Sequence, residues 1–246
     1  MFGMSDPNQT LAQMLRYFEE ERYEMVEVMA SEFTSMLLAN KQRDGATQAL
    51  LVKGVRILAQ VLSIRNKHKL AMQATSVLLR ERKKLEKILL QNAPELLGKL
   101  TPMEHDFRTV GHVCMKAGKN SKARKFFMKA NKATPGNIAA LVALCQVDGA
   151  KTKHAPLLAA AVKSAGPVIL ENGAYYIRPQ HAPGSQIDPI LAVLETCPRQ
   201  DPSCQEQANR IRKECDEIAN GVQAANLRLQ TAMDSLQPKH DYYQYS

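Results

Sequence analysis

Along most of this chain apolar residues recur at alternating steps of three and four, the spacing of one face of an α-helix. Leu11, Leu15, Phe18, Val26, Met29, Phe33 and Leu37 mark such a face between about Gln9 and Ala39. They predict one long helix, or two joined near Glu19–Arg22. Residues 1–8 read as a flexible lead, with Asn8 or Thr10 as a candidate helix cap. Lys41–Gly45 (KQRDG) reads as a turn. Leu50, Val55, Leu58, Ala59 and Leu62 then predict a helix over Ala46–Leu62. Arg65–Lys69 (RNKHK) is a charged connector or cap. Ala71, Ala74, Val77, Leu78, Leu85 and Leu89 predict a helix over Leu70–Leu90, broken at Asn92-Ala93-Pro94.

After a second break at Gly98–Pro102 the chain reads FRTVGHVCMKAGKNSKARKFFMKANKATPGN, Phe107 to Asn137. Phe107, Val110, Gly111 and Cys114 form one stripe, and Ala123, Phe127 and Ala130 a second. Gly118 supplies the turn between them, Asn120 or Ser121 a cap for the second helix, and Pro135-Gly136 the stop. Small residues where two helices cross, with large ones between, are what a packed helical hairpin requires. Two short helices follow, over Asn137–Val147 and Pro156–Ser164. Residues 165–189 are rich in glycine and proline and read as a loop or an excursion carrying a small hairpin, with a β-like run at Ala174–Ile177. A short helix at Ile190–Glu195 precedes the longest one, Pro202–Leu236. There Cys204, Ala208, Ile211, Cys215, Ile218, Val222, Ala225, Leu229, Ala232 and Leu236 make a heptad-like seam, suited to docking on the body or to pairing with a second copy. Residues 237–246 read as a disordered tail carrying three tyrosines.

The hairpin at 104–137 resembles a tetratricopeptide repeat. The large residue, small glycine, second large residue, turn glycine, alanine, aromatic, alanine and proline of that pattern fall on Phe107, Gly111, Cys114, Gly118, Ala123, Phe127, Ala130 and Pro135. Phe107 and Cys114 stand where the family usually has tryptophan and tyrosine. Val55, Leu58, Ala59, Leu62, Ala71, Thr75 and Leu78 follow the same grammar without the glycine, and Val26, Ala30 and Phe33 resemble a further second helix. The anchors Val26, Ala71 and Ala123 are 45 and 52 residues apart rather than 34. The expected fold is therefore all-α: an irregular TPR-like stack of helical hairpins (an α-solenoid) over 9–164, the 165–189 excursion, and C-terminal helices over 190–236. The resemblance implies a non-enzymatic scaffold or adaptor, or a structural subunit of a larger assembly, holding a partner segment on a concave face. A secretion-type chaperone is one form of that role. Inward-turned positions of such a stack put the candidate partner site at Arg108, His112, Lys116 and Asn137.

Charge narrows the partner. The net charge of +9 is distributed as −5 over residues 1–40, +15 over 41–135 and −1 over 136–246. A basic middle between an acidic start and a neutral end speaks to partners rather than to fold. Arg80, Arg82, Lys83, Lys84, Lys122, Arg124, Lys125 and Lys129 form the candidate basic patch. It suits an acidic protein surface, including the acidic segment of a second copy in head-to-tail assembly. The alternative is a basic α-helical nucleic-acid-binding protein, although aromatic residues free to stack on bases are few.

Chemistry is not signalled. GxGxxG, GK[ST], HExxH and GxSxG are absent from the sequence, and the six histidines are scattered. His105 and His112 lie seven apart, not the three or four of a metal pair on a helix. No enzyme activity, cofactor or metal is assigned. Five cysteines are an odd number and no disulfide framework. Cys114 and Cys145 read as core residues, and Cys197 and Cys204 flank a turn where a bridge is conceivable. The start of the chain lacks secretory-signal features, and the runs Ala139–Cys145 and Pro156–Val162 are too short to span a bilayer. A cytoplasmic protein without a membrane span is the expectation.

Overall fold

The computed structural model describes residues 6–149, 153–177, 186–196 and 201–236. They form an all-α protein with one two-stranded hairpin, in two units that divide at Gly149. Residues 1–5 of the expected 1–8 lead, the tail over 237–246 and Cys197 lie outside the described residues.

The first unit runs α1 (Pro7–Glu19), α2 (Tyr23–Ala39), α3 (Gly45–Ile64), α4 (His68–Asn92), a 3-10 turn (Pro94–Lys99), α5 (Met103–Lys116), α6 (Asn120–Ala133) and α7 (Ile138–Asp148). Each helix packs on the next. The odd-numbered helices also touch in series, α1 on α3, α3 on α5 and α5 on α7. The stretch 9–39 is two helices, and the first starts at Pro7, two residues inside the expected lead. Its cap is Asp6, not Asn8 or Thr10: the Asp6 carboxylate accepts from the Asn8 amide at 3.0 Å, and Pro7 follows with its φ already helical.

Three hairpins, α1/α2, α3/α4 and α5/α6, close with one and the same turn. Glu21, Asn66 and Gly118 each adopt positive φ (56°, 59° and 70°), 45 and 52 residues apart. One residue later Arg22, Lys67 and Lys119 donate their amides to the carbonyls of Tyr17, Leu62 and Cys114, at 2.9, 2.8 and 2.8 Å. These are Schellman closures. The residue that completes each closure is also the last before the next helix, which is why neither Asn120 nor Ser121 caps α6: Lys119 occupies the cap position without a side-chain bond.

Aligning the turns aligns the cores. Val26, Ala71 and Ala123 coincide, each fully buried. At another aligned pair of positions the first-helix residue shrinks from Met14 to Ala59 to Gly111 while the second-helix residue grows from Ala30 to Thr75 to Phe127, all buried. In the third hairpin the two meet directly, since a Cβ on Gly111 would collide with the Phe127 ring. A second such pair joins successive hairpins: a Cβ on Gly54 would lie 2.7 Å from Phe33. The α3 segment does therefore use a glycine, facing the preceding hairpin rather than its own partner helix. Phe107 is half-buried and stacks on Phe126, outside the core stripe expected for it.

Between the second and third hairpins sits a buried ion cluster. The fully buried Asp106 carboxylate accepts from Arg56 of α3 at 2.8 Å and lies 3.6 Å from Arg82 of α4, which also bonds Glu86. Helix α3 is the one described helix long and apolar enough to cross a membrane. It escapes a search for unbroken apolar runs because Lys53, Arg56 and Gln60 interrupt it. Packed by α2, α4 and α5, it buries ten residues in the core.

The second unit holds α8 (Ala155–Ser164), β1 (Val168–Glu171), β2 (Ala174–Ile177), α9 (Ile187–Thr196) and α10 (Pro202–Leu236). Helix α8 thus belongs here and not to the expected 9–164 domain. The 165–189 stretch contains the hairpin, turned by Asn172-Gly173 with φ of 49° and 77°, the pair that suits a two-residue hairpin loop. Its last residues already belong to α9. The α10 seam divides. Cys204, Ala208 and Ile211 are buried in a helix that packs on α8, α9 and β1, Cys215 and Ile218 are half-covered, and residues 220–233 are exposed throughout.

Candidate functional site

A groove of about 430 Å³ lies among the first helices of the hairpins, in the first unit alone. Phe18 of α1 stands at one side. Arg56, Gln60, Ser63 and Ile64 come from α3, and His105, Arg108, His112 and Lys116 from α5. Successive helical turns expose positions three and four apart on one face, so the groove reads out the inward stripe of α3 and α5. By the turn alignment Arg56 matches Arg108, Gln60 matches His112 and Ile64 matches Lys116.

Of the four expected partner residues, three line this groove: Arg108, His112 and Lys116. They do not play equal roles. Arg108 is buried and bonded to Glu104, which holds it in the structure. Lys116 is exposed and has no carboxylate partner among the described residues. His112 reaches solvent on one side, while its ring packs edge-on against Phe127 at 5.0 Å. Loss of water on the side of the ring packed against Phe127, and then the positive charges of Arg108 and Lys116, push its pKa down to about 4. His105 is lowered too, first by burial, with Glu104 pulling the other way. The groove wall is thus a place where added positive charge is resisted.

Asn137 is elsewhere. Its side chain caps α7 by accepting from the Ala140 amide at 2.8 Å and donates to Glu104 at 3.0 Å. Both its polar ends are used in holding α7 to α5, so it is a structural residue. Gln60, Ile64 and Phe18 are groove residues that sequence reasoning missed. The signal was present in the 52-residue offset, which maps Gln60 and Ile64 onto His112 and Lys116.

The candidate basic patch separates into two parts. On α4, Arg82 is 4% exposed and tied to Asp106 and Glu86, so it is no part of a surface. Arg80 and Lys84 both bond the Glu81 carboxylate, which also receives Gln48 and Arg43. Burial opposes the charge on Glu81, but these donors outweigh it and hold its carboxyl below the ordinary value. Lys83 alone stays exposed and without a carboxylate partner. On α6, Arg124 pairs with Asp148 at 3.2 Å. Lys122, Lys125 and Lys129, joined by Lys132, face solvent without carboxylate partners among the described residues.

Among the described residues no three His, Cys, Asp or Glu side chains gather as metal ligands would. Cys114 and Cys204 are buried, and burial raises the Cys114 thiol pKa. Compared with models of known families and with characterised proteins, the chain gives no match.

Proposed function

We propose that the first unit is a tetratricopeptide-like scaffold that holds an extended or helical segment of a partner protein in the groove of α1, α3 and α5. The observation that carries this reading is the threefold repetition of the Schellman-closed hairpin, with register-matched inward residues lining one groove. Rigid stacked hairpins present such residues at fixed spacing, which suits recognition and needs no chemistry. The free ammonium of Lys116, next to an imidazole that stays neutral and beside the apolar Phe18, Ile64 and Val113, favours a segment with a carboxylate flanked by an apolar side chain. A cytoplasmic setting fits a segment-binding scaffold of this kind.

Selection of a random peptide library on the intact chain tests this. Enriched peptides should carry Asp or Glu beside an apolar residue, and Lys116→Glu should weaken them about tenfold or more, in line with truncated or reversed charge pairs at interfaces. Equal binding to wild type and variant, or enrichment of oligonucleotides in place of peptides, would contradict it. Nucleic acid is the weaker reading because Phe107 and Phe126 stack on each other under Lys129 and offer no free platform for a base.

A further inference from the structure

Two outer faces of the first unit are unusual for a soluble stack, and they are opposite in character. Helix α2 contains Glu24, Glu27 and Glu32 and no cation; Glu24 and Glu27 are paired with Arg65 and Lys67 of the α3/α4 turn, which leaves Glu32 open. It exposes Met25 (41%), Val28 (54%) and Met36 (52%) on one stripe, with Glu32 between them and without an ion-pair partner among the described residues. Terminal hairpins of a helical stack need a polar outer surface to stay soluble alone. Helix α6 contains four lysines and an arginine and no acid. Its outer face is a shallow depression of about 820 Å³, floored by Phe126 and Met128 and rimmed by Lys122, Lys125, Lys129 and Lys132.

The turn alignment places these faces on equivalent positions of the first and third hairpins. Met25 matches Lys122, Val28 matches Lys125, Glu32 matches Lys129 and Ser35 matches Lys132. One protein therefore carries an apolar-and-acidic ridge and, on the corresponding helix two hairpins on, an apolar-floored basic depression.

We infer that the α2 face of one copy docks on the α6 face of a second copy. The occupant is argued from complementarity in both terms. Met25 and Val28 supply side chains that protrude, and the α6 depression supplies an apolar floor. Glu32 supplies the carboxylate that Lys125 and Lys129 lack. The contact joins two different surfaces, so each copy keeps one face open after pairing, and assembly proceeds by addition to a ring or an open chain. The faces lie away from the α1/α3/α5 groove, so assembly would array grooves and leave them open.

Sedimentation velocity on the full chain, over a protein-concentration and salt series, reads this out. The expected result is growth beyond dimers with concentration at low salt and its loss at high salt, by screening of the charged rim. Two variants block one face each: Lys125→Glu with Lys129→Glu, and Met25→Gln with Val28→Gln and Glu32→Gln. Each alone should weaken self-association at least about tenfold while melting like the wild type. Mixed together they should form a complex that stops at two, because only one native α2 face and one native α6 face remain. A chain that stays monomeric at every concentration in low salt overturns the inference, as does assembly indifferent to both variants. If the monomeric chain instead binds anionic vesicles or single-stranded DNA, and the Lys125→Glu, Lys129→Glu variant does not, the α6 face belongs to that polyanion and the second copy is excluded.

Discussion

Gly111 is the residue on which the third hairpin turns. Phe127 fills the space where its side chain would be. Gly111→Leu should cost roughly 1–3 kcal/mol by overpacking, measured by urea unfolding. Gly111→Leu with Phe127→Ala should recover part of that loss, whereas a merely conformational effect of glycine would leave the two changes additive. Asp106 is the second such residue. Asp106→Ala leaves Arg56 without its carboxylate partner in a mostly buried setting and Arg82 with Glu86 alone, and a cost of about 3 kcal/mol is expected by the same method. His112 gives a pH signature. Its folded-state pKa of about 4 lies below the ordinary 6.5, so the unfolded chain takes up the proton first. The contribution to stability is complete above about pH 6.5 and falls as the pH drops from there towards 4. An NMR titration of the His112 ring should show a midpoint near 4, and His112→Gln should flatten the melting temperature over that range.

At the scale of elements, the turns carry the repeat. Gly118 is the one glycine among three aligned left-handed positions, the others being Glu21 and Asn66. Asparagine tolerates this conformation better than glutamate does. Glu21→Gly should therefore stabilise the protein, by about 1 kcal/mol, and Gly118→Val should destabilise it by a similar amount or more, both read from denaturation midpoints. The same alignment explains what sequence could and could not show. The third hairpin was legible because it keeps glycine, phenylalanine and alanine at the positions of the pattern it resembles. The first two were legible only in part, through anchors such as Val26 and Ala71, because their crossing point is filled by Met14 with Ala30 and by Ala59 with Thr75, a redistribution of volume that a residue-type pattern registers weakly. The caps were misread for a related reason: one backbone closure sets both the end of α5 and the start of α6, leaving no role for Asn120 or Ser121. The α10 heptads were read correctly as a pattern but describe two situations, a docked segment through Ile211 and an exposed one from residue 220.

For the whole molecule, charge told of a basic middle but not which cations were free. The 21 basic residues over 41–135 include Arg56, Arg82 and Arg108, which the fold commits to Asp106, Glu86 and Glu104. The Arg56–Asp106 pair joins residues 50 positions apart and leaves no local signature in sequence. Among the cations left without a carboxylate partner are Lys116 in the groove and the lysine rim of α6, two separate surfaces with separate expected partners. Of the residues expected at a partner site, Arg108, His112 and Lys116 line the groove together with Gln60, Ile64 and Phe18, while Asn137 caps α7, and a helix-capping asparagine looks the same in sequence as an exposed one.

A partner segment held as we propose lies along the inward residues of α1, α3 and α5. Backbone amide shifts of the intact chain, followed while a selected acidic-apolar peptide is titrated in, test it most directly. Perturbations should concentrate at Phe18, Gln60, Ile64, His112 and Lys116 and leave α6 residues Lys125 and Lys129 unmoved. Perturbations confined to the outer face of α6, with those five inward residues silent, would contradict it.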